Sequence, residues 1–330
     1  MSFARILGHD RPLRLIRRAL ETGRLPHALL FSGPDGVGKL TVARELGKAL
    51  NCAVEAGRDA CDACPSCRLA DRGERGEHPD ILIVGPAGRS LKIDQIREVE
   101  RHAALSPYAG RRRVAIVDAA EAMTQQAQNA FLKTLEEPPG GAVLILVSAA
   151  STVLLPTIRS RCQEVRFGSL SDDVVVALLA GGGLGEADAR RAAVLGGGSV
   201  GQARLWAERF PLARQEDVLR GTWASLASPG RALAWAKQLA DEFKGRRDLV
   251  PWALQLLGAW ARHLAGPAGG DGGPSPFVPG RDRVSRDAAL TFYAAVAAAQ
   301  EALESNVNLQ LALDAMLLRM HAAFAGQRSS

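Results

Sequence analysis

Short, continuously apolar runs alternate with stretches of helical periodicity through residues 1–166. Five runs read as strands: Ala28–Ser32, Ile81–Val84, Val114–Val117, Val143–Ser148 and Glu164–Phe167. None alternates in polarity, so each is predicted to be covered on both faces, like the strands of a parallel sheet flanked by helices. Beyond Phe167 no strand pattern returns. Ser171–Ala180, Glu186–Leu195 and Val200–Glu208 read as a small helical unit, punctuated by Gly196-Gly197-Gly198 and with Ser199 as N-cap of its last helix. Long helices follow over Arg231–Phe243, Leu249–Leu264, Arg286–Glu304 and Leu309–Phe324, with a Gly- and Pro-rich loop at Gly266–Gly280. The expected organisation is an α/β parallel-sheet domain over 1–166, a small helical domain over 167–210 and an all-α domain over 211–330.

Composition changes this picture little. Across 330 residues, 47% hydrophobic and 23% charged residues are ordinary for a water-soluble globular chain. The net charge of +6 permits an anionic partner such as DNA without requiring one. Met1–Arg11 has no apolar run of signal-peptide length, and no stretch approaches the about 20 apolar residues of a membrane span. A cytoplasmic protein is expected, without membrane contact and with its thiols reduced.

Chemistry enters at Gly33-Pro34-Asp35-Gly36-Val37-Gly38-Lys39, between the first strand and a helix predicted over Leu40–Leu50. A strand, a glycine loop and a helix form the context of a phosphate-binding P-loop. Gly33, Gly36 and Gly38 let backbone N–H groups converge on phosphate oxygens, and Lys39 reaches the terminal phosphates. The next position should carry a hydroxyl for Mg²⁺, but it is Leu40. Thr41 follows, rotated by about 100° around the helix. Asp118 ends the buried strand Val114–Val117, where a carboxylate would hold Mg²⁺, yet the position after it is Ala119 rather than a water-orienting Glu. Glu121 reads as a helix-start residue or as a displaced catalytic one. ATP and Mg²⁺ are therefore doubtful as working cofactors.

Cys52, Cys61, Cys64 and Cys67 are spaced C-x8-C-x2-C-x2-C. Four thiolates on short spacers suit tetrahedral Zn²⁺ and leave no open coordination position, so the expected site is structural. Cys162 lies far from them in sequence. Arg111-Arg112-Arg113 is either a DNA-facing run or a solvated turn before a strand. His78, His102 and His263 carry no assigned role.

Several segments together resemble one family. They are Arg24-Leu25-Pro26-His27-Ala28, the cysteine cluster, His78-Pro79-Asp80, Ile93-Asp94-Gln95-Ile96-Arg97, Asn129-Ala130-Phe131-Leu132-Lys133-Thr134-Leu135-Glu136-Glu137-Pro138-Pro139 and Pro156-Thr157-Ile158-Arg159-Ser160-Arg161-Cys162. The chain is similar to the bacterial sliding-clamp-loader subunits of the AAA+ superfamily, which belong to the DNA polymerase III holoenzyme. It looks more like the delta-prime branch than its ATPase relative, tau/gamma. Asn306-Val307-Asn308-Leu309-Gln310-Leu311-Ala312-Leu313 extends the similarity into the C-terminal helical domain, so that it covers nearly all of the chain.

The resemblance implies an AAA+ RecA-like P-loop domain, a helical lid and a helical collar. It also implies a hetero-pentamer with tau/gamma and delta subunits, acting on a sliding clamp and primer–template DNA. Arg161 would be an arginine finger supplied in trans to a neighbour's ATP. The lid arginine of the ATPase members corresponds here to Gly201, with Arg204 one turn on. Leu40, Ala119 and Gly201 together point to a subunit that does not hydrolyse ATP itself; an active tau/gamma-type ATPase is the alternative.

Overall fold

The computed structural model describes residues 2–54, 58–72, 76–265, 283–305 and 307–327. The loop expected at Gly266–Gly280 and the residue Asn306 lie outside the described residues. In chain order the elements are α1 (Asp10–Glu21), β1 (Ala28–Ser32), α2 (Lys39–Asn51), α3 (Pro65–Ala70), β2 (Ile81–Val84), α4 (Ile93–Ala104), β3 (Val114–Val117), α5 (Gln125–Glu136), β4 (Val143–Ser148), α6 (Pro156–Arg159) and β5 (Gln163–Arg166). Helices alone follow: α7 (Asp172–Gly181), α8 (Glu186–Gly196), α9 (Val200–Arg209), α10 (Leu212–Ser225), α11 (Pro229–Phe243), α12 (Val250–Ala265), α13 (Arg286–Glu304) and α14 (Leu309–Gly326).

The five strands form one parallel sheet in the order β2-β3-β4-β1-β5. Alternate residues along each strand feed opposite faces, because side chains of a strand point up and down in turn. Leu29, Phe31, Ile116, Ile145 and Val165 pack with Leu13 and Ile16 of α1 and Val42 and Leu46 of α2. Leu30, Ala115, Val117, Leu144 and Leu146 pack with Ile96 and Val99 of α4, Phe131 of α5 and Ile158 of α6. Phe31 and Phe131 are fully buried, a burial that stabilises by about 1.5–3 kcal/mol apiece. The two-sided cover accounts for the lack of alternation in β1–β4; β5, expected to be covered likewise, is instead an edge strand in which Val165 is buried while Gln163 and Arg166 are exposed.

Two compact units emerge: Met1–Leu178 with Gly198–Gly201, and Leu179–Gly197 with Gln202–Ser330. The second is all helical. Its core gathers Trp206 against Trp252, and Trp223 against both Trp260 and Phe324. The sequence pattern missed α10. The buried side of that helix carries Gln215, Thr222 and Ser225 beside Val218 and Leu219, so its apolar period is weak.

Candidate functional site

The phosphate loop leaves the carboxyl end of β1, and Asp118 leaves that of β3. Gly38 has φ +104 and N-caps α2, so the first N–H groups of that helix face the loop. Lys39 is buried, and its ammonium donates to the carbonyls of Gly33 (2.7 Å) and Pro34 (2.6 Å). Burial pulls its pKa below the ordinary lysine value, opposed by the carboxylates of Asp35, Glu121 and Asp118. Burial likewise raises the Asp118 carboxyl, and the negative charges of Glu121 and Asp35 add to the shift. One lysine and three carboxylates thus share a field at the end of the sheet.

The residues flanking the loop are built for other work. Leu40 packs against the core on the α2 face of the sheet, whereas Thr41 is exposed. Ala119 takes the left-handed conformation (φ 49), which turns the chain sharply after Asp118. Glu121, read from sequence as a helix-start residue or a displaced catalytic one, comes to this site. One of its oxygens accepts from Ala149 N–H at the end of β4 (3.1 Å); the other is buried without a hydrogen-bond partner. Its backbone lies in a short 3-10 turn (Ala120–Ala122), a geometry that no sequence period announces.

Gly201 also meets the loop. Its N–H donates to the Gly36 carbonyl (2.9 Å), and a Cβ on Gly201 would lie 2.9 Å from the Gly36 Cα. Gly36 itself has φ +69, and a Cβ there would stand 2.5 Å from the Ser199 hydroxyl. Only a glycine pair permits this approach. The Gly198 carbonyl in turn accepts from Leu170 N–H (2.9 Å), holding the segment down. On the other side His9 Nε2 contacts the Val37 carbonyl (2.8 Å), a contact that no local pattern announces.

Arg161 follows α6, partly exposed, away from the chain's own phosphate loop in sequence. Its guanidinium donates to the Thr157 carbonyl (2.9 Å) and to the Glu136 carboxylate at the end of α5. Two sequence-picked segments, Leu-Glu-Glu-Pro-Pro and Ser-Arg-Cys, therefore meet in one ion pair. Burial pushes the neighbouring Cys162 thiol up to about 12, so it is an inert packing residue.

Cys52, Cys61, Cys64 and Cys67 converge, their sulfurs all within 4.8 Å of one another. Tetrahedral Zn–S bonds of about 2.3 Å require S–S separations of about 3.8 Å, so the donor set fits Zn²⁺. Local turns aim the thiols: Cys64 N–H donates to the Cys61 sulfur (3.3 Å) and Cys67 N–H to the Cys64 sulfur (3.5 Å). Cys52 is the C-cap of α2, which ties the cluster to the far end of the phosphate-loop helix. Lys48 of α2, nearly fully buried, pairs with Asp62 (2.7 Å) and Asp71 (2.9 Å) on either side of α3. His78 contacts the Ser66 hydroxyl (2.9 Å) and accepts from Asp80 N–H (3.1 Å), a structural role.

The arginine run divides. Arg113 is buried, ion-paired with the fully buried Asp80 (3.1 Å) and bonded to the carbonyls of Pro79 and Ser106. It faces the protein; only Arg111 and Arg112 are exposed.

The N-terminal half of the chain is similar to known proteins. Residues 8–171 match the sequence profile of the family described as DNA polymerase III, delta subunit. The delta-prime subunit of DNA polymerase III from Pseudomonas aeruginosa is 40% identical over 140 residues, 42% of this chain and 42% of that protein. Its counterpart from Bacillus subtilis is 36% identical over 165 residues, 50% of this chain and 49% of that protein. The gamma/tau subunit from Mycobacterium tuberculosis is 37% identical over 179 residues, 54% of this chain and 31% of that protein. The match thus spans less than half the length of each of these relatives. Among the described residues no helix is long and apolar enough to cross a membrane. With its glycine loop, four-cysteine cluster, Leu-Glu-Glu-Pro-Pro and Ser-Arg-Cys segments all inside the matched region, the chain belongs over residues 8–171 to the DNA polymerase III delta-subunit family, beside the delta-prime and gamma/tau subunits.

Proposed function

We propose that the chain is a delta-prime-type AAA+ clamp-loader subunit that does not hydrolyse ATP but supplies Arg161 to the ATP site of a neighbouring subunit. In this reading 1–166 is the P-loop domain, 167–210 the lid and 211–330 the collar. The chain sits in a cytoplasmic hetero-pentamer with tau/gamma and delta subunits and loads the sliding clamp on primer–template DNA. The carrying observation is that Leu40 packs, partly buried, against the core at the position where Mg²⁺ needs a hydroxyl. Ala119 supplies no water-orienting carboxylate, and the Gly36–Gly201 contact occupies one edge of the loop. The four thiolates would hold a structural Zn²⁺, and Gly33, Gly36, Gly38, Lys39, Thr41 and Asp118 would be remnants of a nucleotide site. An arginine supplied in trans stabilises charge developing on the γ-phosphate.

The test is kinetic. Arg161→Ala in a reconstituted loader should lower DNA-stimulated ATPase by a factor on the order of 10³ at the affected site. Assembly should be unchanged, since a partly exposed ion pair contributes only about 0.2–1 kcal/mol. An unchanged rate removes the finger assignment.

One observation favours an active tau/gamma-type ATPase instead: the buried, partnerless oxygen of Glu121 beside Asp118 and Lys39. ATP turnover by the purified chain at the rate of a tau/gamma subunit, abolished in Glu121→Gln, would establish that reading over the first.

A further inference from the structure

The helical unit carries a partly open cavity of about 260 Å³ between α8, α9 and the start of α10. Its wall contains two polar side chains that the fold does not satisfy. Arg191 is 9% exposed, and neither its Nε nor its Nη1 has a hydrogen-bond partner. Its remaining nitrogen lies 3.7 Å from Glu216, outside hydrogen-bond range. Gln215, 3% exposed, donates its amide to the Phe210 carbonyl (2.7 Å), leaving its buried carbonyl oxygen without a donor. The rest of the wall is mainly apolar, with Leu184, Ala207 and Leu212 prominent.

Buried donors and acceptors are almost always paired, so the cavity wall lacks two acceptors and one donor. It does not lack negative charge. Asp188 lines the same cavity and, with Glu216, already opposes the Arg191 charge. A phosphate or carboxylate would add charge where two carboxylates already stand. The missing complement is a neutral group that both accepts and donates, attached to an apolar side chain. An extended peptide has that chemistry: its carbonyl can accept from the guanidinium, and its N–H can donate to the Gln215 oxygen. A helical peptide would already have used both groups internally.

We propose that this cavity is a recognition site for an extended segment of a partner polypeptide, seating one apolar side chain with its peptide groups bonded to Arg191 and Gln215. The site is independent of the phosphate loop and of the nucleotide question.

The probe is N-acetyl-leucine N-methylamide, titrated into the full chain and followed by the Arg191 Nε–H resonance in ¹H–¹⁵N spectra, identified by its loss in Arg191→Lys. A saturable shift with Kd on the order of 1 mM is expected for a probe of this size. N-acetyl-leucine, which carries a carboxylate, should bind about tenfold more weakly. Ala207→Trp fills the cavity from a half-buried position without removing either polar group. It should abolish the titration while the Arg191 resonance persists. An unmoved resonance at saturating probe overturns the proposal. So does equal or tighter binding of the carboxylate, which would make this an anion site, and so does binding that survives Ala207→Trp.

Discussion

The contact between Gly36 and Gly201 makes a sharp prediction for nucleotide affinity. In Gly201→Ala the new Cβ would lie 2.9 Å from the Gly36 Cα, whereas carbon atoms pack at about 3.5–4.0 Å. The 198–201 segment must therefore withdraw by roughly 1 Å, which breaks the 2.9 Å bond from Gly201 N–H to the Gly36 carbonyl. Losing that bond costs the closed arrangement about 0.5–1.5 kcal/mol. Alanine also favours the α9 helix by about 0.5–1 kcal/mol over glycine, but the helix exists in both arrangements, so that gain cancels. If nucleotide needs the loop uncovered, the apparent affinity rises by the same energy, about two- to tenfold. Titration with a fluorescent ATP analogue, with and without Mg²⁺, reads this directly. The metal should add little in either protein, because Leu40 offers no ligand. Gly36→Ala serves as the contrasting variant: it also pushes the segment away but strains a loop residue at φ +69, so it should not share the gain. Equal affinity of Gly201→Ala and the parent, or no binding by either, would refute the reasoning that this contact is what guards the loop.

Glu136→Gln removes the ion-pair partner that holds Arg161 back against α5. In the reconstituted loader the freed guanidinium should preserve or raise the neighbour's ATPase rate; a fall as deep as that of Arg161→Ala would mean that Glu136 positions the finger instead. The cysteine cluster should hold one Zn²⁺ per chain by atomic emission, and Cys67→Ser, at a fully buried ligand, should reduce this to a small fraction. Asp80 is the acid-sensitive anchor. Burial pushes its carboxyl up, but the N–H groups of Tyr108, Ala109 and Gly110 and the Arg113 guanidinium outweigh it and hold the pKa below the usual carboxylate range. The stability it contributes is therefore complete above its unfolded pKa of about 3.9 and is lost as pH falls through the lower folded value. Urea melts of Asp80→Ala should show a loss of about 3–5 kcal/mol at neutral pH, since Arg113 is left buried and unpaired, and the gap from the parent should shrink under acid. A constant gap would contradict the assignment.

Much of this is legible in the amino-acid sequence. Four of the five strands run over the residues that the apolar runs mark, because burial on both faces leaves a continuous signature. The phosphate loop and the cysteine cluster were legible for a related reason: glycine and thiol chemistry demands fixed residues at fixed short spacings. What sequence did not disclose was long-range. Nothing local in Gly-Ser-Val-Gly says that its fourth residue lies against Gly36, 165 positions earlier. Asn51 looks like an ordinary helix-end residue, yet its side-chain oxygen accepts from Arg111 and Arg112 N–H. The polar inner face of α10 hid both that helix and the Gln215 acceptor. Periodicity registers apolar faces and is blind to buried polar groups whose partners are distant.

The two candidate centres share a single strut, and this bears on why a metal site should sit in a chain whose glycine loop is followed by Leu40 rather than a hydroxyl. Helix α2 begins at Lys39 and ends at Asn51, with Cys52 as its C-cap and 10 of its 13 residues buried. It is therefore gripped along its length rather than only at its tips. Its last turns carry Lys48, paired with the carboxylates that flank α3, and Asn51, which fixes the loop before β3. Binding metal would thus immobilise the carboxyl end of the same helix whose amino end shapes the glycine loop. In a hydrolysing subunit, nucleotide itself helps to order that loop. If this chain does not hydrolyse ATP, as proposed, the Gly201 contact at one end and four thiolates at the other would replace it, keeping the α2 face of the sheet rigid with no γ-phosphate present.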